Sequence, residues 1–316
     1  MKKRTVIALI VAILLVLCGG TMLVLGLSFA GDSKPESLLT EQEVTIGETF
    51  NGVLVETGDC DVNVVLCKGA LETKVVIRER EETEHMVSLD EGTLKITMTD
   101  NRTWQDFVGV NWESMEMTLY LPEREYASVQ ITTSTGDIRI PEGLSGREMQ
   151  LHSDTGDILC GGTVEDLLHV ETDTGDIQIN GCAPLIMELE SDTGDMELEG
   201  LFGNGEFHVT NNTGSVEMTN VNSRILTVET TTGEIELERV VAEEYLQTFS
   251  DTGSIRLEYC DSARVNIETT TGDISGHFMT PKSFDAYSNT GNVRVANTPG
   301  GGGCRVESDT GDIYFE

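Results

Sequence analysis

Aspartates recur in pairs around a repeated glycine, and these paired carboxylates are the residues of the chain best placed to do chemistry. If the pairs lie on stacked turns, neighbouring carboxylates are about 5 Å apart, the spacing of adjacent strands. Like charges this close need hydrogen bonds or a cation such as Ca²⁺ to offset their repulsion. We predict that each carboxylate accepts amide hydrogen bonds of its own turn, because Asn, Ser and Thr replace Asp in other copies; a strip of Ca²⁺ sites is the alternative. The candidate residues are Asp154, Asp157, Asp173, Asp176, Asp192 and Asp195.

Two histidines share one column of the repeat with a glutamate, which resembles a metal site. His169 and His208 each lie six residues before a repeat glycine, and Glu188 has the same place in the copy between them. Two strand spacings separate the histidines by about 10 Å, whereas zinc binds nitrogen at about 2 Å. We therefore predict a solvated strand face without a bound metal.

Six cysteines follow residue 31, which in an exported chain suggests disulfides. Cys182 and Cys260 occupy the same place in their repeats but are four repeats apart, roughly 19 Å at the usual strand spacing. A disulfide needs Cα atoms within about 7 Å, so these two cannot pair. Cys60 and Cys160 fall at inward positions and are predicted to be small core residues.

Catalysis needs an irregular patch in which acids, bases or cationic side chains converge. The sequence contains no nucleophile elbow, phosphate loop or histidine-containing zinc motif, and its carboxylates recur with the repeat instead of clustering. We predict a protein that is not an enzyme and that has no cofactor.

An internal repeat of 19 or 20 residues positions all of these side chains. A fixed period near twenty residues is typical of an array in which each unit buries its apolar face against its neighbours. Each copy centres on Thr-Gly followed by Asp, Ser, Glu or Asn, and we predict that the glycine lies in a tight turn that requires positive φ. The repeat glycines are Gly136, Gly156, Gly175, Gly194, Gly214, Gly233, Gly253, Gly272, Gly291 and Gly311.

Apolar residues alternate with polar ones on both sides of each glycine. Leu168 and Val170 precede Gly175, and Ile177 and Ile179 follow it. This period of two predicts two short strands per repeat, and a small polar residue three positions before the glycine is predicted to bond to the backbone of the turn. The expected fold is all-β, a parallel β-helix-like solenoid of about ten coils. The rivals are a β-propeller, whose blades need roughly forty residues each, and a long antiparallel sandwich.

The N-terminal segment predicts a membrane anchor. Residues 6–30 contain no charged side chain, and at about 1.5 Å per residue they are long enough to cross a hydrocarbon core of about 30 Å. Lys2, Lys3 and Arg4 are then expected to remain cytoplasmic, with everything after Gly31 outside the membrane. A signal peptide cleaved at the end of this run is the alternative.

The chain is strongly acidic. Its formal charge of −35 becomes −38 when the three basic residues at its start are excluded. Such a charge repels nucleic acid and favours cations or basic partners, although solubility alone is a sufficient explanation. We expect no nucleic-acid partner.

Four segments are predicted along the chain. Thr57-Gly58-Asp59 is an outlying copy of the repeat phrase, four periods before Gly136, so the region before the array is either its modified first coils or a small β domain that caps it. The last strand, Gly311 to Glu316, is predicted to be an open edge that self-associates end to end as salt is raised. The segments are 1–31 (cytoplasmic tip and anchor), 32–42 (linker), 43–127 (N-terminal β region) and 128–316 (repeat solenoid).

The apolar N-terminal run, the strand end Leu119-Tyr120-Leu121-Pro122 and the ten Thr-Gly copies together resemble the bacterial putative-adhesin family of β-strand-repeat proteins, a domain of unknown function. The resemblance covers most of residues 43–316. It implies a cell-envelope protein, sometimes associated with envelope-stress loci, and it supplies no catalytic residues.

The expected function is therefore a membrane-anchored, extracytoplasmic binding or scaffolding protein of the cell envelope, with an envelope protein or a glycan as its partner. An accessory or signalling partner of an envelope-stress system is the alternative. A carbohydrate-active enzyme on a β-helix is a third possibility, and it would require acidic and basic side chains that converge in a groove.

Overall fold

The computed structural model describes residues 39–102 and 114–316, which form 25 β-strands. Within these ranges there is no helix that is long and apolar enough to span a membrane. The predicted anchor, residues 6–30, lies outside the described residues.

The strands follow the sequence pattern of two per repeat. The N-terminal strands are β1 (Thr40–Ile46), β2 (Gly52–Glu56), β3 (Cys60–Cys67), β4 (Thr73–Glu79), β5 (Thr83–Asp90), β6 (Thr93–Asp100) and β7 (Met115–Pro122). The next are β8 (Glu125–Thr135), β9 (Ile138–Ile140), β10 (Ser145–Thr155), β11 (Ile158–Cys160), β12 (Thr163–Thr174), β13 (Ile177–Asn180), β14 (Ile186–Thr193), β15 (Met196–Glu199) and β16 (Glu206–Thr213). The last are β17 (Val216–Thr232), β18 (Ile235–Thr252), β19 (Ile255–Ser262), β20 (Arg264–Thr271), β21 (Ile274–Phe278), β22 (Lys282–Thr290), β23 (Val293–Val295), β24 (Gly302–Thr310) and β25 (Ile313–Phe315).

The repeats stack as coils of a β-solenoid of about ten turns, which confirms the predicted fold. Strands that precede the glycines pair in parallel along one side, as β8, β10, β12, β14 and β16 do, and strands that follow the glycines pair in parallel along the other, as β9, β11, β13 and β15 do. The long strands β17 and β18 contribute to both sides. Parallel stacking throughout the repeats excludes the propeller and the antiparallel sandwich.

One hydrophobic core runs between the two sides. Leu168, Val170, Ile177 and Ile179 are fully buried, as their alternation with polar residues predicts. The same inward positions are buried in coil after coil, so each coil completes the core of its neighbours.

Close backbone contact between coils explains the repeat glycine. A Cβ atom on Gly194 would lie 1.9 Å from the carbonyl oxygen of Gly175, and a Cβ on Gly253 would lie 1.8 Å from that of Gly233. All ten repeat glycines have such a contact at 2.2 Å or less, whereas only seven of them have φ between 140° and 158°. Glycine is therefore required at this position because stacked backbones approach each other closely in every copy. Positive φ, the predicted reason, does not occur in all copies.

A second bend recurs six residues after the repeat glycine. Gly181 and Gly200 adopt left-handed φ of 69° and 68° there, and Asn220, Arg239 and Tyr259 take the same place in later coils with φ between 54° and 56°. The bend leads from the second strand of a coil into the connection to the next one.

The outlying copy of the repeat phrase is offset from the true column. Val55 lies beside Ile131, and Val62 lies beside Ile138, with six residues between the two positions in each coil. This register places Cys60 opposite Gly136, so Gly58 is not the equivalent of a repeat glycine. The spacing of four periods between Gly58 and Gly136 is misleading, because β4, β5 and their connections do not form coils of the stack.

The N-terminal end of the stack carries antiparallel strands. Beyond the coil of β2 and β3 lies a further parallel coil of β6 and β7. Strand β5 then pairs with β6 on one side, and β4 and β1 follow β7 on the other, all in antiparallel orientation.

The coil order is inverted at the C-terminal end. Strand β24 lies between β20 and β22, and β25 lies between β21 and β23. The Phe315 ring accordingly packs between Phe278 and Phe284, with centroids 5.2 Å from each. The prediction that the last strand is an open edge is wrong, because the chain returns after β23 and inserts its final coil beneath the preceding one.

A glycine-rich crossing makes this return possible. The chain passes from β23 to β24 through Pro299 and four consecutive glycines. A Cβ atom on Gly301 would lie 2.5 Å from the carbonyl oxygen of Pro281, so the crossing segment packs directly on the backbone of the coil above it.

Candidate binding surfaces

The carboxylates that follow the repeat glycines are held by the adjacent coil. An Oδ1 atom of Asp157 accepts a hydrogen bond of 2.9 Å from the amide of Asp176, and Asp176 accepts one of 2.8 Å from the amide of Asp195. The ladder continues with the amide of Ser215 donating to Asp195 at 2.8 Å. These carboxylates accept backbone amide hydrogen bonds, as we predicted. The donor, however, is an amide of the next coil and not one of the same turn. These carboxylates therefore stabilise the stacking of coils.

The carboxylates that precede the repeat glycines remain at the surface. Asp154 lies 3.0 Å from Nε2 of His152, and Asp192 accepts a hydrogen bond of 2.6 Å from the side-chain amide of Asn212. Asp173 is exposed between them. Among the described residues, no group of three or more His, Cys, Asp or Glu side chains is arranged to hold a metal ion.

A buried ladder of small polar side chains satisfies the glycine carbonyls. Ser153 donates to the carbonyl of Gly136 at 3.0 Å, and Asn211 donates to that of Gly194 at 2.8 Å. Equivalent bonds connect most other coils, as the sequence predicts. The hydroxyl or amide therefore supplies a hydrogen-bond partner to a glycine carbonyl that lies against the backbone of the next coil.

The histidine column lies on the outer face, as predicted. His169 is in register with Glu188 on the adjacent strand, and Glu188 is in register with His208 on the strand after that. Nδ1 of His169 is 3.4 Å from Glu188, and Glu171 lies 3.4 Å from His152 in the neighbouring column. The arrangement is a surface of alternating imidazoles and carboxylates that exposes both kinds of group to a partner.

Five of the six described cysteines are buried in the core, and Cys67 is partly buried. Cys60 and Cys160 are buried, which confirms the prediction, and all six described cysteines are free thiols. Burial raises the pKa of Cys160 to about 12 and that of Cys182 to about 11. Because only the thiolate is strongly nucleophilic, burial disfavours reaction of the Cys160 and Cys182 thiols near neutral pH.

A buried lysine connects the outermost coil to the coil beneath the inserted one. Nζ of Lys282 bonds to the Asp261 carboxylate and, at 2.7 Å, to the carbonyl of Ser262. Its side chain passes over Gly302, where a Cβ atom would lie 3.2 Å from Nζ. Thr280 also donates to Asp261, at 2.9 Å. The ion pair therefore spans the inserted coil and fixes its position.

A shallow cleft of about 290 Å³ opens beside this ion pair. Its polar lining includes Glu243, Asp261 and Thr280, and the hydroxyl of Ser262 is buried there without a hydrogen-bond partner. Since the Lys282 ammonium is already paired, the cleft has no uncompensated cation to attract an anion. We assign it to the coil junction.

The C-terminal end exposes core positions that every central coil buries. We define the open end as strands β22 and β23, whose outer sides pair with no strand among the described residues. Val293 is 42% exposed there, whereas Ile235, its equivalent in a central coil, is fully buried. Phe284 and Ala286 are only partly buried for the same reason. This is the one end at which both edge strands belong to a single coil.

Sequence reasoning missed the residues that define this end. Lys282 is the only lysine after Lys95, and Gly300–Gly303 interrupts the usual composition of a coil. Both signals mark an irregularity near residue 300. The interval from Gly291 to Gly311 is a normal period, however, so nothing in the spacing shows that the coil order is inverted.

The parallel stacking of the coils defines a β-solenoid. The family model described as Toastrack DUF4097 matches residues 53–213 and 204–316, and the chain belongs to this family, a domain of unknown function.

Solved structures of similar proteins share low sequence identity with the chain. A putative adhesin from Bacteroides fragilis is 14% identical with a TM-score of 0.40, and the match covers 89% of this chain and 99% of that one. A putative lipid binding protein from Parabacteroides distasonis is 11% identical with a TM-score of 0.41, covering 90% and 98%. No curated protein matches the chain.

Proposed function

We propose that the chain is a membrane-anchored, extracytoplasmic binding or scaffolding protein of the cell envelope that performs no catalysis. The observation that carries the proposal is the use of the repeated polar groups. The inner hydroxyls and the carboxylates after the glycines hold coil to coil, which leaves a rigid rod whose outer faces and open end are available for contact.

Residues 6–30 are the proposed anchor, because this run is uncharged and long enough to cross a bilayer. Strand β1 begins at Thr40, only a short linker after the anchor, so the N-terminal end of the rod lies next to the membrane. The antiparallel strands β1, β4 and β5 cap that end, and the open end points away from the membrane.

The anchor is expected to remain attached in the mature protein. The full chain should be recovered in the membrane fraction with Lys2 still present, because the uncharged run is longer than the apolar region of a usual signal peptide. A fragment of residues 32–316 behind a cleavable signal serves as the soluble control. Full-length expression that yields released protein beginning at Gly31 would overturn the proposal.

The binding role is tested by looking for the two classes of partner side by side. Residues 32–316 are applied to a glycan array, and the full chain is used for a pull-down from solubilised membranes with an unrelated anchored solenoid as control. A glycan ligand or a reproducible envelope-protein partner supports the proposal. Recovery of a membrane signalling protein favours the envelope-stress alternative, and release of sugar from a glycan by the fragment would contradict a non-catalytic role.

A further inference from the structure

We propose that the open end is a self-association surface that joins two copies of the chain end to end about a two-fold axis. Strands β22 and β23 of one copy pair in antiparallel orientation with β22 and β23 of the other. The inference rests on the inverted coil order and the described fold, and it holds whether or not the chain is anchored in a membrane.

Exposed apolar groups and free backbone groups at the open end provide the contact. Val293 is 42% exposed, and Phe284, Ala286 and Val295 are partly exposed at positions that central coils bury completely. At the start of β22, Asn297 and Thr298 already bond to the backbone of Phe284 and Lys282. Residues 286–290 of β22 and strand β23 have no strand on their outer sides among the described residues, so these stretches are a template for a further strand. A second copy would bury these side chains and satisfy these backbone groups at the same time.

The charge of the outermost coil fits an acidic partner such as a second copy. Residues 282–303 contain one carboxylate, Asp285, together with Lys282 and Arg294. Residues 185–204 in the middle of the stack contain six carboxylates and no lysine or arginine. The open end is therefore a place where another molecule of charge −35 can approach with little local repulsion.

The shape of the two ends favours contact between like ends. At the open end both edge strands belong to one coil, so the two sides of the solenoid end level with each other. At the N-terminal end β5 adds one strand beyond β6, whereas β4 and β1 add two beyond β7, so the two sides end one strand apart. A level end can pair both of its edges with another level end, but not with the stepped one.

A two-fold axis perpendicular to the two sides of the solenoid, those that end in β22 and β23, allows both edges to pair at once. It places each edge strand beside its own copy in antiparallel orientation, and it continues the hydrophobic core across the contact. Such an isologous contact closes at a dimer. Repulsion between the two acidic rods opposes it, and salt screens that repulsion over about 10 Å at 0.1 M.

Sedimentation velocity of residues 32–316 across a salt series tests the proposal, since this fragment contains every described strand. We expect a monomer at low ionic strength and a dimer at high ionic strength. Val293→Glu should raise the dimer dissociation constant at least about tenfold by placing two new carboxylates in the contact. Leu185→Glu is the matched control, because Leu185 is 57% exposed in the middle of the stack, and it should dimerise as the unmodified fragment does.

Three results would overturn the proposal: a monomer at every salt concentration, a dimer that Val293→Glu does not weaken, or assemblies that grow beyond the dimer. The last would indicate head-to-tail stacking instead of a two-fold contact. Circular dichroism of both variants establishes that they are folded. None of these results depends on the anchor or on a glycan or protein ligand, so the test is independent of the proposed function.

Discussion

Replacing Gly253 with alanine is expected to destabilise the protein by about 3 kcal/mol or more. The new Cβ atom would lie 1.8 Å from the carbonyl oxygen of Gly233 and 2.5 Å from its carbonyl carbon. Both are backbone atoms of a stacked coil, so the clash cannot be relieved by rotating a side chain. Either the two coils separate or the corner distorts, and both changes disrupt the hydrogen bonds of neighbouring coils.

Gly253 is the informative choice because its φ lies outside the left-handed range, unlike that of Gly194 at 150°. A loss of stability at Gly253 therefore reports the close contact alone. Gly303→Ala is the control, since a Cβ atom there would meet no heavy atom within 4 Å, and it should change stability by no more than about 0.5 kcal/mol. Chemical unfolding of the three proteins gives the comparison, and an unaltered midpoint for Gly253→Ala would show that the stacked backbones are not in contact.

Removal of residues 304–316 deletes the inserted coil and is expected to unfold the outermost coil, β22 and β23, as well. Strands β22 and β23 pair only with β24 and β25 among the described residues, and Phe284 packs against Phe315. Without the inserted coil they lose their hydrogen bonds and part of their core. Hydrogen exchange should show lost protection throughout 282–295, even though these residues are retained in the truncated chain.

Protection of strand β18 (Ile235–Thr252) from hydrogen exchange is the internal control. The truncation removes none of the strands with which β18 pairs, namely β17, β19 and β20. If the coils were stacked in sequence order, residues 282–295 would keep their partner in the preceding coil and would stay protected. That outcome would contradict the inverted order.

The sequence predicted the central coils well because their physical requirements repeat. Alternation in Leu168, Val170, Ile177 and Ile179 indicates the buried face directly, and ten copies of one pattern leave little freedom in register. The inward hydroxyl ladder followed from the same parity. Each of these features depends on local sequence and on an identical neighbour.

The glycine was predicted with an incomplete reason. A glycine in a short phrase with Thr and Asp indicates a turn with positive φ, but the structural requirement at Gly253 is the approach of another coil's backbone. The donor to Asp176 was misassigned for the same reason, since it is the amide of Asp195 in the next coil. Sequence within one repeat cannot show contacts that arise only on stacking.

The two ends of the stack could not be predicted from the period. Gly58 lies a whole number of periods from Gly136, yet the coil register aligns Cys60 with Gly136. At the other end the spacing of Gly291 and Gly311 is regular, although their coils are stacked in reverse order. Long-range pairing decides both ends, and a repeat count has no information about it.

Cross-linking of paired cysteines tests the coil order most directly. Thr271 is in register with Thr310, and Thr310 is in register with Thr290, all three at the exposed corner. Adjacent strands place Cα atoms about 4.8 Å apart and next-nearest strands about twice that, whereas a disulfide needs them within about 7 Å. In residues 32–316 we expect Thr271→Cys with Thr310→Cys to form an intramolecular disulfide under mild oxidation, and Thr271→Cys with Thr290→Cys to remain reduced. A disulfide in the second pair and none in the first would mean that the coils stack in sequence order and that the open end is not formed by β22 and β23.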